Sequence, residues 1–191
     1  KTGFLLATNF EQWQNVYIAP EFTIAFEDIE VDSGASTSVK QQKGNFFNSD
    51  LGYSLTFDKR NQIFKPTKGH ITTFSQSLPI IQDSSSIMNG LTVSSYKDFS
   101  DDVIGTLKFF GRAINGVDDD VRLTNRLFLP RNRLRGFNTY EVGPKDGSDW
   151  VGGNYAASLS AEAQLPNLLP ESYKTDFSIF VDTGNIWGVD Y

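Results

Sequence analysis

The chain has 191 residues, no cysteine and a net charge of −6. This length fits one larger all-β domain or a part of a longer protein, and the start at Lys1 without a charged and apolar leader leads us to expect a fragment. The lack of cysteine excludes a disulfide framework and thiolate chemistry. The negative charge and the scattered basic residues argue against a nucleic-acid partner.

Alternation of apolar and polar residues is the main structural signal. In chain order it predicts about eight strands, at residues 1–8, 17–31, 51–58, 70–80, 88–99, 103–113, 155–165 and 177–182. The clearest is 51–58, whereas 70–80 and 88–99 alternate poorly. Residues 32–45 form a polar loop, and no helix is predicted. The pattern therefore indicates an all-β antiparallel meander.

Two architectures produce such a meander. A soluble β-sandwich buries the apolar face in a core, whereas a membrane barrel turns it towards lipid. No stretch approaches the eighteen or so apolar residues of a spanning helix, but lipid-facing strands are apolar only at alternate positions. Aromatic residues near predicted strand ends fit either architecture: Phe26, Tyr53, Phe57, Phe99 and Tyr155.

The connection at residues 114–153 is too long for an ordinary loop and too apolar for a solvated linker. Its apolar and aromatic residues include Leu134, Phe137, Tyr140, Val142 and Trp150. Arg135 and Gly136 place a fork-shaped cation next to a flexible backbone position. We expect this loop to fold back onto the protein body, with Arg135 contacting an acidic partner.

Glu162 and Asp182 are candidates for that partner. They lie on the polar faces of the last two predicted strands, which the short segment 166–173 joins into an antiparallel pair. Residues of such a pair whose numbers sum to an even value lie on the same face, so both carboxylates face one side. A guanidinium from the long loop would bridge them through charge-assisted hydrogen bonds. The alternative is that each carboxylate is simply solvated.

Several motifs carry a resemblance to a known family. In chain order they are FDKRNQIFKPTKGH (57–70), LRGF (134–137), VGP (142–144), VGGN (151–154), SAEAQLP (160–166) and FVDTGNIW (180–187). Their order and spacing resemble the C-terminal barrel of BamA-type outer-membrane assembly factors, in the bacterial surface antigen superfamily. That superfamily also contains the mitochondrial sorting and assembly barrel, TamA and two-partner secretion transporters.

The resemblance implies that residues 1–191 are part of a sixteen-stranded transmembrane β-barrel, about the sixth to the thirteenth strand, with the loop 114–153 folded into the lumen. It implies that Arg135 pairs with Glu162 and Asp182. The other implied site residues are the loop-motif residues Leu134, Gly136 and Phe137, the loop-turn glycines Gly143, Gly152 and Gly153, and the strand-turn residues Asp58, Arg60, Pro66 and Gly69.

The resemblance also implies a function for the parent protein. It would fold and insert β-barrel proteins into the bacterial outer membrane without ATP, as a non-enzymatic factor that needs no cofactor or metal. Its expected partners are outer-membrane lipids, unfolded barrel clients, accessory assembly lipoproteins and periplasmic POTRA domains. If the resemblance holds, we expect this sequence to lack the first and last barrel strands and the POTRA domains of the family. The alternatives are a soluble β-sandwich binding module, or a TamA or two-partner secretion barrel.

Three weaker motifs favour other functions. Asp182-Thr183-Gly184 resembles an aspartic protease signature, but such enzymes need two aspartates and the motif occurs once. The acidic segments 118–120 and 146–149 lack the ligand spacing of an EF-hand calcium loop. His70 is the only histidine, so a histidine metal cluster is not expected.

Overall fold

The computed structural model describes residues 1–117, 119–173 and 175–190. Its main sheet is one antiparallel meander, in the order β1-β3-β4-β5-β6-β7-β10-β11, with β2 also paired to β3. The strands of this sheet are β1 (Thr2–Ala7), β2 (Phe10–Trp13), β3 (Val16–Ile29), β4 (Gly44–Asp58), β5 (Gly69–Gln82), β6 (Ser86–Ser100), β7 (Val103–Gly116), β10 (Tyr155–Leu165) and β11 (Phe177–Trp187). The predicted all-β antiparallel meander is confirmed.

The long connection between β7 and β10 contains the remaining strands, β8 (Lys145–Asp146) and β9 (Asp149–Trp150), which form a small hairpin. Helical structure in the described ranges is limited to the one-turn helix α1 (Thr37–Lys40) and two 3-10 turns, Leu123–Asn125 and Glu171–Tyr173. No helix within those ranges is long and apolar enough to cross a membrane.

The structure differs from the predicted elements in several places. Strand β11 continues five residues beyond 182, and residues 37–40 of the predicted polar loop form the helix α1. Strand β4 begins seven residues earlier than the alternation indicated, because Phe46 on its inward row and Asn45 and Ser49 on its outward row remove the contrast between the two faces. Strand β2 was not predicted, since its four residues are too few to establish a period. It continues the edge formed by β1 along the other half of β3.

The strand register places most of the large apolar residues of the long strands on one face, and this face is exposed. Phe26 on β3 is 60% exposed, Leu107 on β7 is 50% exposed and Val181 on β11 is 72% exposed. In the described part of the chain no second sheet covers this face, because β8 and β9 belong to the loop on the other side. The β-sandwich alternative is therefore wrong.

The opposite face of the sheet is covered by the long loop. The core consists of loop residues packed on inward residues of β7, β10 and β11: Phe110, Ile114, Val121, Leu127, Leu129, Leu134, Ala156 and Ile186. An isolated bridge between Leu127 and Gly153 closes the loop on itself. The hydrophobic burial that stabilises this part of the molecule thus lies between the sheet and its loop.

The inner face is concave. The same loop that contacts β11 also reaches β4, where the guanidinium carbon of Arg122 lies 3.2 Å from the centre of the Phe46 ring. A cavity of about 250 Å³ is enclosed between the loop and five successive strands, and residues such as Thr23, Asn48 and Ser86 line it. The sheet therefore curves around the loop, as a segment of barrel wall does.

Candidate loop-anchoring site

The register of β10 and β11 sets the geometry of the candidate site. Ser160 lies directly opposite Asp182, and Glu162 lies directly opposite Phe180. Since both pairs have even sums, all four side chains belong to the inner face, as the parity argument predicted. The two carboxylates are one diagonal step apart, close enough for one long side chain to contact both.

Arg135 comes from the long loop and fills the space between the two carboxylates. Its Nε lies 2.7 Å from Oδ2 of Asp182 and its Nη2 lies 2.8 Å from Oδ1, which is a bidentate contact. Its Nη1 donates to Oε2 of Glu162 at 3.0 Å. The backbone N–H of Arg135 also donates to Asp182, at 3.0 Å. We call Arg135, Glu162 and Asp182 the loop anchor.

The strands supply three further contacts to the loop anchor. The Oγ of Ser160 accepts a hydrogen bond from Nη2 of Arg135 at 2.9 Å. The guanidinium carbon of Arg135 lies over the Phe180 ring, 3.4 Å from the ring centre. From the neighbouring strand β7, Lys108 Nζ approaches Oε2 of Glu162 at 3.6 Å. Two cations therefore face two carboxylates, and the cluster is close to neutral.

Burial makes these contacts stronger than an ordinary surface ion pair. The side chain of Asp182 is 4% exposed and that of Glu162 is 10% exposed, whereas Arg135 is 30% exposed. The hydrogen bond from Arg135 to Asp182 raises the pKa of the guanidinium further above its ordinary value, despite partial burial. The cation is therefore permanent at any physiological pH.

Three contacts of the loop anchor were not predicted from the sequence: Ser160, Phe180 and Lys108. A signal for Phe180 was present, because it is an aromatic residue on the otherwise polar face of β11. For Ser160 and Lys108 the sequence offered only a position on the inward face, which they share with many other polar residues.

Glycines allow the loop to lie close to β11. Gly143 has φ +106°, and a Cβ atom at this position would lie 2.8 Å from Cβ of Ile186. A Cβ atom on Gly153 would meet the carbonyl oxygen of Trp187 at 2.6 Å, and one on Gly152, with φ +65°, would meet that of Leu127 at 2.8 Å. Larger residues at Gly143 and Gly153 would force the loop away from β11, and one at Gly152 would disturb the bridge within the loop.

The comparisons with known proteins place these features in a family. The whole chain, residues 1–191, matches the Omp85 superfamily domain. This chain belongs to the Omp85 superfamily. Among curated proteins, it is 28% identical over 179 residues to the outer membrane protein assembly factor BamA of Neorickettsia risticii, and this match covers 88% of the chain and 23% of the relative.

Two further relatives extend the comparison of this Omp85 chain. The sorting and assembly machinery component 50 homolog of Xenopus tropicalis is 23% identical, over 99% of the chain and 42% of the relative. The crystal structure of Haemophilus ducreyi BamA lacking POTRA domains 1-3 matches with a TM-score of 0.80 at 18% identity, covering 97% of this chain and 41% of that one. The chain thus spans less than half the length of each of these relatives.

The remaining residues of the LRGF motif have unequal environments in this Omp85 chain. Leu134 is buried in the core beside the loop anchor, whereas Phe137 is exposed. Gly136 has φ +91°, and a Cβ atom there would meet no atom within 4 Å. The motif glycine is therefore required by its backbone conformation and not by the available space.

The strand-turn motif lies at the opposite end of the sheet from the long loop. Arg60 binds Asp58 through Nε at 2.9 Å and through Nη2 at 2.6 Å, across the end of β4. A side chain on Gly69 would overlap the carbonyl of Lys59, and Pro66 lies in the turn between them. These four residues form a turn of their own and are not brought to the loop anchor.

In the acidic segment 146–149, two carboxylates accept hydrogen bonds from backbone N–H groups of another loop. Asp149 Oδ2 accepts from the backbone N–H of Ser36 at 2.8 Å, and Asp146 Oδ2 accepts from that of Ser38 at 3.0 Å. Among residues 1–117, 119–173 and 175–190, no group of three or more histidines or acidic residues is arranged to hold a metal ion. In the other acidic segment, Asp118 lies outside the described residues.

Proposed function

We propose that the parent of this chain folds and inserts β-barrel proteins into the bacterial outer membrane, and that this chain forms part of its barrel wall. The family membership supports this proposal, together with a relative named as an outer membrane protein assembly factor. The exposed apolar face of the sheet, with a polar inner face behind it, is the arrangement that a lipid-facing barrel wall requires.

The loop anchor is the observation that carries the proposal furthest. It fixes a forty-residue loop to the last two strands of the sheet, and one of these, β11, is an edge strand here. Removing the anchor would release both the loop and the edge strand that it holds. We therefore propose that the anchor keeps the barrel wall ordered close to the place where further strands join it.

The proposed role is non-enzymatic. Assembly would proceed without ATP, because client strands gain hydrogen bonds and buried apolar area when they enter a membrane barrel. The proposed partners are outer-membrane lipids on the outward face, unfolded barrel clients, accessory assembly lipoproteins and the periplasmic POTRA domains of the parent. No cofactor and no metal are part of the proposal.

The experiment that tests the function uses the parent protein in a Gram-negative host in which its own assembly factor can be depleted. We expect the parent to fractionate with the outer membrane and to restore the folded, heat-modifiable form of a client porin. The Arg135→Ala parent should fractionate in the same way but restore less folded client.

Two results would contradict the proposal. A parent that accumulates as a soluble periplasmic species would remove the membrane role. A parent that reaches the outer membrane but leaves the client unfolded, even when its native partners are present, would remove the assembly role. As a control, Lys65→Ala removes an exposed ion pair with Asp176 at the far end of the sheet, and it should behave as the unmodified parent.

A further inference from the structure

The outward face of the sheet is not uniform. A groove of about 480 Å³ crosses β6, β7, β10 and β11 on the half of the sheet that lies away from the long loop. Its volume is in the range of small-molecule sites, roughly 300–1,000 Å³. It lies on the other side of the same strands that hold the loop anchor, since Glu162 and Phe180 also border it.

Small residues form the floor of the groove. Gly105 on β7 and Ala163 on β10 are direct register partners, and Ala161 lies one outward position along β10. The ring of Phe99 fills the space over Gly105, where any side chain would overlap it. The depression therefore results from the small side chains of Ala161 and Ala163, beside the Phe99 ring.

Larger apolar residues form the walls. Leu107 and Val181 lie on either side of Ala161, and Ile179 lies beside Ala163. All three walls are exposed, with Val181 at 72%. A groove of this kind, with apolar sides and an apolar floor, matches a flexible hydrocarbon chain that lies along the surface.

Lys97 gives the groove a polar end. Across the strands of the described chain, it is the only lysine or arginine whose register position is on the outward face; the others, such as Lys108 and Arg112, lie on the inner face. Within the described residues no carboxylate lies within the 4.0 Å ion-pair distance of its amino group. Its Nζ lies 5.4 Å from the centre of the Phe99 ring.

The position of Lys97 matches the boundary of a membrane. It is three residues from the end of β6, about 10 Å along the strand. A lysine at this depth extends its amino group towards the polar headgroups while its methylenes remain in apolar surroundings. The anion available there is a lipid phosphate.

We propose that this groove is a binding site for one glycerophospholipid, with an acyl chain on the floor formed by Ala161 and Ala163, beside the Phe99 ring, and the phosphate on Lys97. The site rests on the proposed membrane location of the parent, and it adds a discrete lipid contact to what is otherwise a general lipid-facing surface. The groove takes the apolar chain, and the lysine selects lipids that carry a phosphate.

The test uses the purified full-length parent in a mild detergent, with native mass spectrometry to follow binding of phosphatidylglycerol and of diacylglycerol with the same acyl chains. We expect phosphatidylglycerol to bind about tenfold more tightly, because a charge-assisted contact with phosphate is present only there. Lys97→Gln should reduce phosphatidylglycerol binding to the level of diacylglycerol. Ala161→Leu, which fills the groove, should weaken both.

Matched controls are available on the same chain. Lys59 also lies over a phenylalanine ring, Phe57, at 5.2 Å, but it is at the end of β4 and does not line the groove, so Lys59→Gln should leave binding unchanged. Thr183→Leu adds an apolar side chain to the same outward face outside the groove and should also leave binding unchanged.

Several results would overturn the lipid site. They are equal binding of phosphatidylglycerol by the Lys97→Gln and unmodified parents, undiminished binding by Ala161→Leu, or equal losses with the two control variants. If the parent fractionates with the outer membrane and assembles its client while any of these results is found, only the lipid site fails. If the parent is not a membrane protein, the proposed function and the lipid site fail together.

Discussion

Asp182 is the main hydrogen-bond acceptor for Arg135 of the long loop. It accepts three hydrogen bonds from Arg135, one from the backbone and two from the guanidinium, at a side-chain exposure of 4%. By contrast, the ion pair between Lys65 and Asp176 has side chains that are 80% and 47% exposed. Exposed pairs of this kind contribute about 0–1 kcal/mol, so the two contacts differ in energetic weight despite similar distances.

The geometry of the guanidinium yields the first prediction. Arg135→Lys retains the charge but cannot make the bidentate contact with Asp182 while also reaching Glu162. We expect Arg135→Ala to lower the free energy of unfolding of the parent barrel by about 3 kcal/mol, because it leaves the buried Asp182 without a cationic partner and Glu162 with only Lys108, and Arg135→Lys to lower it by roughly half as much. Urea unfolding in detergent micelles, followed by tryptophan fluorescence, measures both. Equal stability of Arg135→Lys and the unmodified barrel would contradict the geometric argument.

Two loop glycines give a matched pair for the second prediction. Gly136 and Gly143 have φ of +91° and +106°, so alanine is strained at both positions, at about 1 kcal/mol. At Gly143 alone, the new methyl group would also collide with Ile186. Gly143→Ala should therefore increase protease cleavage of the loop well beyond the effect of Gly136→Ala. Equal cleavage of the two variants would mean that the close approach to β11 does not order the loop.

The residues of the loop anchor were accessible from the sequence because period-2 alternation fixes which face a residue occupies. That argument placed Glu162 and Asp182 on one side and required a long cation to bridge them. It carried no information on which loop residue stacks on which ring, so the contact between Arg135 and Phe180 was not predicted. Contacts such as Arg122 on Phe46 were also beyond it, since they depend on the path of an irregular backbone.

At the scale of elements, the two longest loops on the anchor side of the sheet are joined to each other. The hairpin β8–β9 contributes Asp146 and Asp149, whose carboxylates accept the backbone N–H groups at the start of α1. Gln42, just after α1, accepts from the backbone N–H of Leu123 at 3.2 Å. The segment 30–43 therefore lies over the long loop and is ordered by contacts that its own sequence does not contain.

The third prediction concerns this loop-to-loop contact. The paired substitution Asp146→Ala and Asp149→Ala removes the two acceptors, so segment 30–43 should become susceptible to proteolysis while the loop anchor remains intact. Limited proteolysis with mapping of the cleavage sites measures it. Asp32→Ala, which removes only a local hydrogen bond to Gly34, is the control. If segment 30–43 of the paired variant resists cleavage as well as the control does, the two carboxylates do not order this segment.

Strand prediction succeeded where the two faces of a strand differ clearly in polarity, and it failed where they do not. On β4 and β10 the outward positions are apolar and the inward ones polar or small, so the period was readable. On β5 the outward row contains His70, Thr72 and Gln76, and the inward row contains Ile71, so the contrast between faces disappears. The inward Ile71 is accommodated because the loop fills only part of the inner face.

At the scale of the whole molecule, the sheet of the described residues has two free edges. Strand β11 forms one edge, and strands β1 and β2 form the other. Each has unpaired backbone groups along its free side, and the outward apolar face is exposed between them. The fourth prediction is that the 191-residue chain on its own, in buffer without detergent, forms large aggregates detectable by sedimentation. A stable monomer in that buffer would mean that neither the edges nor the apolar face needs a membrane or further strands.

The architecture was half determined by the sequence. Alternation predicted a meander but left sandwich and barrel equally open, because both bury one face of a sheet in something apolar. The order and spacing of the loop and strand motifs favoured the barrel, and the exposed apolar face decides it. The number of strands in the complete wall is a property of the parent and is not readable from this segment.

The charge exchange between Arg135 and Asp182 tests the central claim most directly. In the parent, Arg135→Asp and Asp182→Arg should each lower the temperature at which the barrel loses its compact electrophoretic form and reduce client assembly. The double variant restores opposite charges between the same loop and strand β11, so it should recover a substantial part of both losses. Losses in the double variant equal to the sum of the single ones would contradict a direct contact between loop and wall.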